Sequence, residues 1–174
     1  MNNKLQKIGF GGGCHWCTEA VFQSIIGVVE VAQGFIASSN KEASFSEAVI
    51  VHFNPSQISL KELVEIHLYT HKSSSDHSMR KKYRSAIYFF DKDQQMMVNQ
   101  ILNSVQKDFK KKIITKVLPF HEFKFSDELF HNYYYTNPEK PFCETYINPK
   151  LSLLMQKFSK HVDKNKITKN ELVS

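Results

Sequence analysis

The order of apolar patterns between Leu5 and Phe90 is what most limits how this 174-residue chain can fold. Residues 5–10 form a short apolar-rich run that enters three glycines, which reads as a strand leading into a turn. Within residues 18–26, Ala20, Val21, Ile25 and Ile26 recur at helical spacing, and Gly27 supplies a stop. Residues 28–36 and 45–53 are rich in Val and Phe and read as strands, the second closed by Asn54-Pro55. Ser59 and Glu62 have the spacing of a capping box, ahead of a helix with Leu60, Leu63, Val64 and Leu68 on one face. Residues 84–90 read as a further strand. The order β-α-β-β-α-β predicts an α+β fold with a ferredoxin-like split core, its two helices on one face of an antiparallel sheet.

C-terminal extensions follow this core. Asp91 or Asp93 caps a helix running to about residue 110, and residues 113–118 read as a strand. Short helices are expected over 126–135 and 151–158. Neither a repeat nor a linker interrupts the chain, so residues 1–160 are expected to form a single catalytic domain and 161–174 a polar tail. With 41% hydrophobic and 23% charged residues, and only 6 Gly and 5 Pro, the composition excludes fibrous and low-complexity classes. No apolar run of membrane-spanning length occurs, nor an apolar stretch after the first lysines, so a cytoplasmic protein that does not engage membranes is expected. The net charge of +6 comes from lysines spread over 81–82, 107–116 and the tail, without arginine-rich or aromatic-interleaved stripes. Solvated basic faces account for it better than nucleic-acid binding does. A monomer is expected.

Cys14 lies where a strand, a glycine turn and a helix start meet. Glycines allow a sharp turn and leave room for a ligand, and a helix N-terminus favours thiolate over thiol. Cys17, at i+3, is near enough to trap an oxidised Cys14 as a disulfide. Two buried structural cysteines are the alternative, but those need no glycine turn. A zinc site would need two further ligands, and His71 and His77 lack a suitable spacing, so no metal is expected. A thioredoxin-like domain fits poorly, because Cys-His-Trp-Cys follows the first strand directly and has His-Trp inside the pair.

Four ordered segments give a more specific identification. Gly-Gly-Cys-His-Trp-Cys-Thr-Glu, ending at Glu19, resembles the Gly-Cys-Phe-Trp motif of the peptide methionine sulfoxide reductase A family. Phe45-Ser46-Glu47-Ala48-Val49 through Asn54-Pro55 resembles its His-Ala-Glu-Ala-Val strand, and Lys82-Tyr83-Arg84-Ser85-Ala86-Ile87-Tyr88 its Gln-Tyr-Arg-Ser-Ala-Ile-Tyr. Phe130-His131-Asn132, Asn137-Pro138 and Pro141-Phe142-Cys143 resemble its Tyr-His-Gln, Asn-Pro and Pro-Tyr-Cys. Together these segments lie within roughly residues 4–155.

The resemblance implies reduction of methionine S-sulfoxide, free or in proteins, without a bound cofactor. Cys14 would be the nucleophile and Glu47 the acid, kept protonated by burial on its strand. Tyr83, with Tyr134 by counting from His131, would hydrogen-bond the sulfoxide oxygen. Trp16 would cradle the substrate methyl group. A sulfenic acid on Cys14 would condense with Cys143 or Cys17, Cys143 being slightly favoured as the family's usual position. A dithiol reductant such as thioredoxin would then clear the disulfide.

The sequence departs from the family pattern in three places. His15 replaces Phe beside the nucleophile, where it either alters the methyl pocket or helps form the thiolate. The loop between Gly34 and Glu47 is short and lacks a tyrosine. Asp76 stands two places early for the family's aspartate, where it serves the substrate or caps a turn. A general thiol–disulfide oxidoreductase using Cys14 and Cys17, and a non-enzymatic binder of oxidised methionine, are the competing readings.

Overall fold

The computed structural model describes residues 4–167. A six-stranded mixed sheet has the order β5-β4-β1-β3-β2-β6. Strand β1 (Gln6–Gly11) runs antiparallel to both β3 (Ser46–Phe53) and β4 (Ala86–Phe89). Strand β2 (Val28–Ala37) runs antiparallel to β3 and to β6 (Glu122–Phe125). Strand β5 (Lys116–Pro119) is parallel to β4, which makes the sheet mixed.

Strand alternation divides the core. Val49, Val51 and Phe53 point with Ile8, Phe10 and Ile87 into the larger cluster, shared with the helices. These are α1 (His15–Gln23), α2 (Leu60–Thr70), α3 (Lys92–Val105) and α5 (Asn148–Phe158). The other face buries Ala48, Ile50, Ala86 and Tyr88 under Leu118, Phe120 and Phe123. Each fully buried aliphatic or aromatic side chain here contributes about 1.5–3 kcal/mol relative to exposure.

Two features position the site. Phe10 pairs with Val49 and Gly11 with Ala48, so the end of β1 meets the start of β3. Glu47 shares parity with Val49 and Val51, which turns it toward the helix-covered face beside α1.

The Ser59–Glu62 capping box is formed, each side chain accepting from the other's backbone N–H at 3.1 and 2.9 Å. Asp91, rather than Asp93, caps α3. Several expectations are corrected. Helix α1 starts at His15, three residues before the apolar pattern, because the Cys14 carbonyl already accepts from Cys17 and Thr18. It ends at Gln23, and the chain turns at Gly27, whose φ of 92° favours glycine. Strand β5 starts only at Lys116, since Ile113 N–H goes to Gln106 and Ile114 N–H to Ser73. Residues 126–135 do not form one helix. A 3-10 turn (Glu128–Phe130) and the one-turn helix α4 (Tyr133–Thr136) are separated by Asn132 in the left-handed region at φ 56°.

Residues 161–167 of the expected polar tail pack against the rest of the domain. Val162 and Ile167 are buried, Val162 bridges to Ile25, and Asp163 N–H bonds to the Ser24 carbonyl at 2.8 Å. Residues 168–174 of that expected tail lie outside the described residues.

Candidate active site

Cys14 caps α1 and is half-buried. The Cys17 thiol hydrogen-bonds its sulfur; this contact, aided by the Trp16 and Cys17 backbone N–H groups, holds the Cys14 thiol below the ordinary range. Burial and the Glu47 charge oppose the shift without reversing it. The same hydrogen bond, followed by burial, pushes the Cys17 thiol far up, so within the pair Cys14 ionises first. Lys150, largely buried and donating to the Thr70 carbonyl, adds positive charge near both sulfurs.

The turn before Cys14 is clamped from below. His67 Nε2 donates to the Gly11 carbonyl at 2.8 Å and Arg80 to the Gly12 carbonyl at 2.9 Å. A Cβ on Gly12 would lie 2.4 Å from the His71 ring, so this position needs glycine. His71 is fixed in turn between the His67 carbonyl and the Ser85 hydroxyl, at 2.5 and 2.8 Å. Burial drives the His71 imidazole down to about 3, so this support stays neutral.

Opposite the thiol, Glu47 is buried at the head of β3. The His15 backbone N–H donates to its Oε1 at 3.3 Å, and His15 Nε2 lies 3.3 Å from the same oxygen. Lys82 Nζ is 3.7 Å from Oε2. Hydrogen bonds from Glu47 N–H and Ser46 Oγ to the Lys82 carbonyl, and from Arg84 N–H to Ser46 Oγ, stitch residues 82–84 onto β3. Half-buried Tyr83 therefore stands beside Glu47, its ring 5.1 Å from Lys82 Nζ.

An aromatic wall completes the site. Trp16 stacks on Tyr133 at 4.3 Å and on Phe130 at 5.0 Å, with the edge of Phe142 at 5.1 Å. Glu19 ties this wall to α1, accepting from Asn132 N–H, Tyr133 N–H and Gln33 Nε2 at 3.0, 3.2 and 2.9 Å. Burial raises the Glu19 carboxyl although all three donors oppose it.

Cys14, Cys17, His15, Trp16, Glu47 and Tyr83 are thus gathered at the junction of β1, α1 and β3. Three sequence expectations are corrected. Tyr134 is fully buried and donates to Asn148 at 2.5 Å, so its neighbour Tyr133 meets Trp16 instead. Asp76 is exposed and lines a cleft with Glu42, Arg80 and Lys116, and His77 rather than Asp76 caps the short 3-10 turn (Ser78–Lys81). His15 is buried and faces Glu47, so it supports the acid side of the site rather than the thiolate.

Cys143 is buried in the wide π turn (Cys143–Ile147), its thiol 3.6 Å from the Asn137 carbonyl, and burial pushes it up. Sequence reasoning missed Glu19, Lys82, Lys150 and the His67–His71 clamp. Glu19 carried a signal, as a carboxyl set among apolar positions of a helix. Among the described residues no group of three or more His, Cys, Asp or Glu could hold a metal ion, and no helix is long and apolar enough to cross a membrane.

A low-lying cysteine, a buried carboxyl opposite it and an aromatic wall form the working parts of a thiol-based redox enzyme. The family model of peptide methionine sulfoxide reductase matches residues 6–163, and the chain belongs to that family. It is 30% identical over 168 residues to peptide methionine sulfoxide reductase MsrA of Sulfolobus acidocaldarius, covering 88% of this chain and 96% of that one. It is likewise 30% identical to MsrA of Acinetobacter baumannii, covering 92% and 100%. Among solved structures, methionine sulfoxide reductase A of Corynebacterium diphtheriae superposes with a TM-score of 0.69 at 23% identity, covering 79% and 77%. Reduced Mxr1 of Saccharomyces cerevisiae superposes at 0.68 and 24%, covering 82% and 91%.

Proposed function

We propose that this protein reduces methionine S-sulfoxide, free or within proteins, with Cys14 as the nucleophile. The observation that carries the reading is the buried Glu47 at the head of β3, in the helix-covered face beside the Cys14 turn. The Cys14 thiolate attacks the sulfoxide sulfur and the sulfur–oxygen electron pair moves to oxygen, which takes a proton from the Glu47 side of the site. The attack joins the two sulfurs; the substrate S–O bond then breaks, the hydroxide bonds to the Cys14 sulfur, and the Cys14–substrate S–S bond breaks with its electron pair going to the methionine sulfur. Methionine leaves and Cys14 keeps the hydroxyl as a sulfenic acid, so Cys14 is oxidised by two electrons and the substrate reduced by two. In this reading the Tyr83 hydroxyl hydrogen-bonds the oxygen, and the stacked Trp16 and Tyr133 rings offer an apolar surface to the methyl group.

Cys17 then condenses with the sulfenic acid, forming a disulfide and releasing water. Its place one turn on in α1, with its backbone N–H donating to the Cys14 carbonyl at 3.1 Å, supports this choice over Cys143, whose thiol is turned to Asn137. The proposed reductant is a thioredoxin-like dithiol protein, the class of partner with which yeast Mxr1 has been crystallised as a complex with Trx2. No prosthetic group is needed. We further propose a cytoplasmic monomer. The central order β4-β1-β3-β2, with α1 and α2 packed on one face, supports a ferredoxin-like split core.

The purified protein with dithiothreitol is expected to convert the S but not the R diastereomer of methionine sulfoxide, and Cys14→Ser to abolish conversion. Equal turnover of both diastereomers, or turnover by Cys14→Ser, would contradict the proposal. A general dithiol oxidoreductase would instead reduce insulin disulfides and tolerate Glu47→Gln.

A further inference from the structure

The imidazole of His15 is buried between two acceptors. Its Nδ1 lies 2.7 Å from the Gly34 carbonyl oxygen, which can only accept, so Nδ1 carries a hydrogen. The neutral ring then presents a bare Nε2 to Glu47 Oε1 at 3.3 Å. Two acceptors at that separation repel each other unless a proton lies between them, as imidazolium with carboxylate or imidazole with carboxylic acid. Phe35 packs edge-on to the ring at 5.1 Å and holds its plane toward Glu47. An aromatic residue that only filled space would need neither contact.

We propose that His15 and Glu47 hold a single proton between Nε2 and Oε1, and that this pair, not Glu47 alone, donates the proton to the sulfoxide oxygen. The inference rests on the sulfoxide-reductase reading above. His15 acts through Glu47 and is a positioning residue. When Cys14 attacks, the new S–S bond displaces the sulfur–oxygen pair onto oxygen, the shared proton moves to that oxygen, and the pair is left as neutral imidazole and carboxylate. The proton lost when the next Cys14 thiol ionises restores it, so the cycle balances.

Four other groups act on the pair. Lys82, 3.7 Å from Oε2, favours the carboxylate, while its charge also opposes charging of His15. Lys82 also lies over the Tyr83 ring, 5.1 Å from its centroid. His131 opposes charging of His15, and the Cys14 thiolate and Glu47 charge oppose one another. Burial draws the imidazole below its ordinary range, while the Gly34 carbonyl and Glu47 push it back. The protonated form therefore depends on Glu47. Coupled groups of this kind titrate as a pair.

The test is the pH profile of kcat/KM for methionine S-sulfoxide, with dithiothreitol, in the wild type and in His15→Phe. The variant is expected to work at acid pH and to lose activity with a basic limb about one pH unit lower, because Glu47 must then keep its proton alone beside Lys82. Superposed profiles would overturn the shared proton and leave the reductase reading intact. An inactive wild type at every pH would overturn both. Should His15→Phe fail to fold, ¹⁵N-histidine NMR decides on the intact protein. Nδ1 of His15 is expected to stay protonated while Nε2 titrates in one step that Glu47→Gln moves to lower pH. A step that Glu47→Gln leaves in place would overturn the proposal.

Discussion

The two walls of the site are held in different ways. On the thiol wall, backbone carbonyls of the Gly11-Gly12 turn are gripped by His67 and Arg80, and the sulfur is tuned by Cys17 and by helix N–H groups. Hydrogen bonds to the turn and to the sulfur, and the geometry they fix, do most of the work there. On the acid wall, Glu47 meets a histidine and a lysine side chain, so its protonation is shared with neighbours. The thiol wall fixes a position, and the acid wall fixes a proton. Chemistry should therefore fail by different routes when each is broken.

Glu47→Gln breaks the acid wall and is expected to have the largest effect of these changes. The amide cannot yield a proton, so the rate of sulfoxide reduction should fall by about 10²- to 10⁴-fold. Alkylation of Cys14 by iodoacetamide should remain, since the thiol keeps its own partners. A small loss in turnover would show that Glu47 is not the acid.

Gly12→Ala strikes the thiol wall, and Gly13→Ala is its control. The new methyl at Gly12 must displace the His71 ring, whereas at Gly13 no atom lies within 4 Å. Gly12→Ala is expected to lower stability by about 1–3 kcal/mol in urea denaturation and to disturb turnover. Gly13→Ala should leave the unfolding midpoint nearly unchanged, and equal losses from both would contradict the clamp.

Cys17→Ala separates tuning from position. Without the thiol donor, Cys14 should ionise at higher pH. A hydrogen bond to a charged group contributes about 1.5–3 kcal/mol, so the alkylation midpoint of Cys14 should rise by about one unit or more. An unchanged midpoint would assign the low thiol to the backbone alone.

The sequence made the thiol wall more legible than the acid wall. A glycine run followed by Cys-x-x-Cys announces a turn, a helix start and two nearby sulfurs within a few residues. Glu47 was found through its strand motif, and strand parity explains why it faces α1. His15, in contrast, was legible as an unusual residue but not in its direction, because what it meets is set by the register of β2 on β3. Phe35 pairs with Glu47 there, which brings the Gly34 carbonyl beside it. Tyr133 and Tyr134 could not be told apart by counting, since the left-handed Asn132 and the Glu19 anchor decide which ring turns to Trp16. Strand β6 escaped notice because Glu122–Phe125 is short and half charged, as suits an edge strand. The clamp of His67 and His71 spans more than fifty residues to the turn it supports, and no local pattern reports it.

The most direct test uses the double variant Cys17→Ala, Cys143→Ala, which leaves Cys14 as the single cysteine of the chain. Mixed once with methionine S-sulfoxide and no reductant, it is predicted to yield one methionine per protein and a dimedone-reactive sulfenic acid on Cys14, read by mass spectrometry. Methionine without modification of Cys14, or no methionine from a folded protein whose Cys14 still alkylates, would contradict the account.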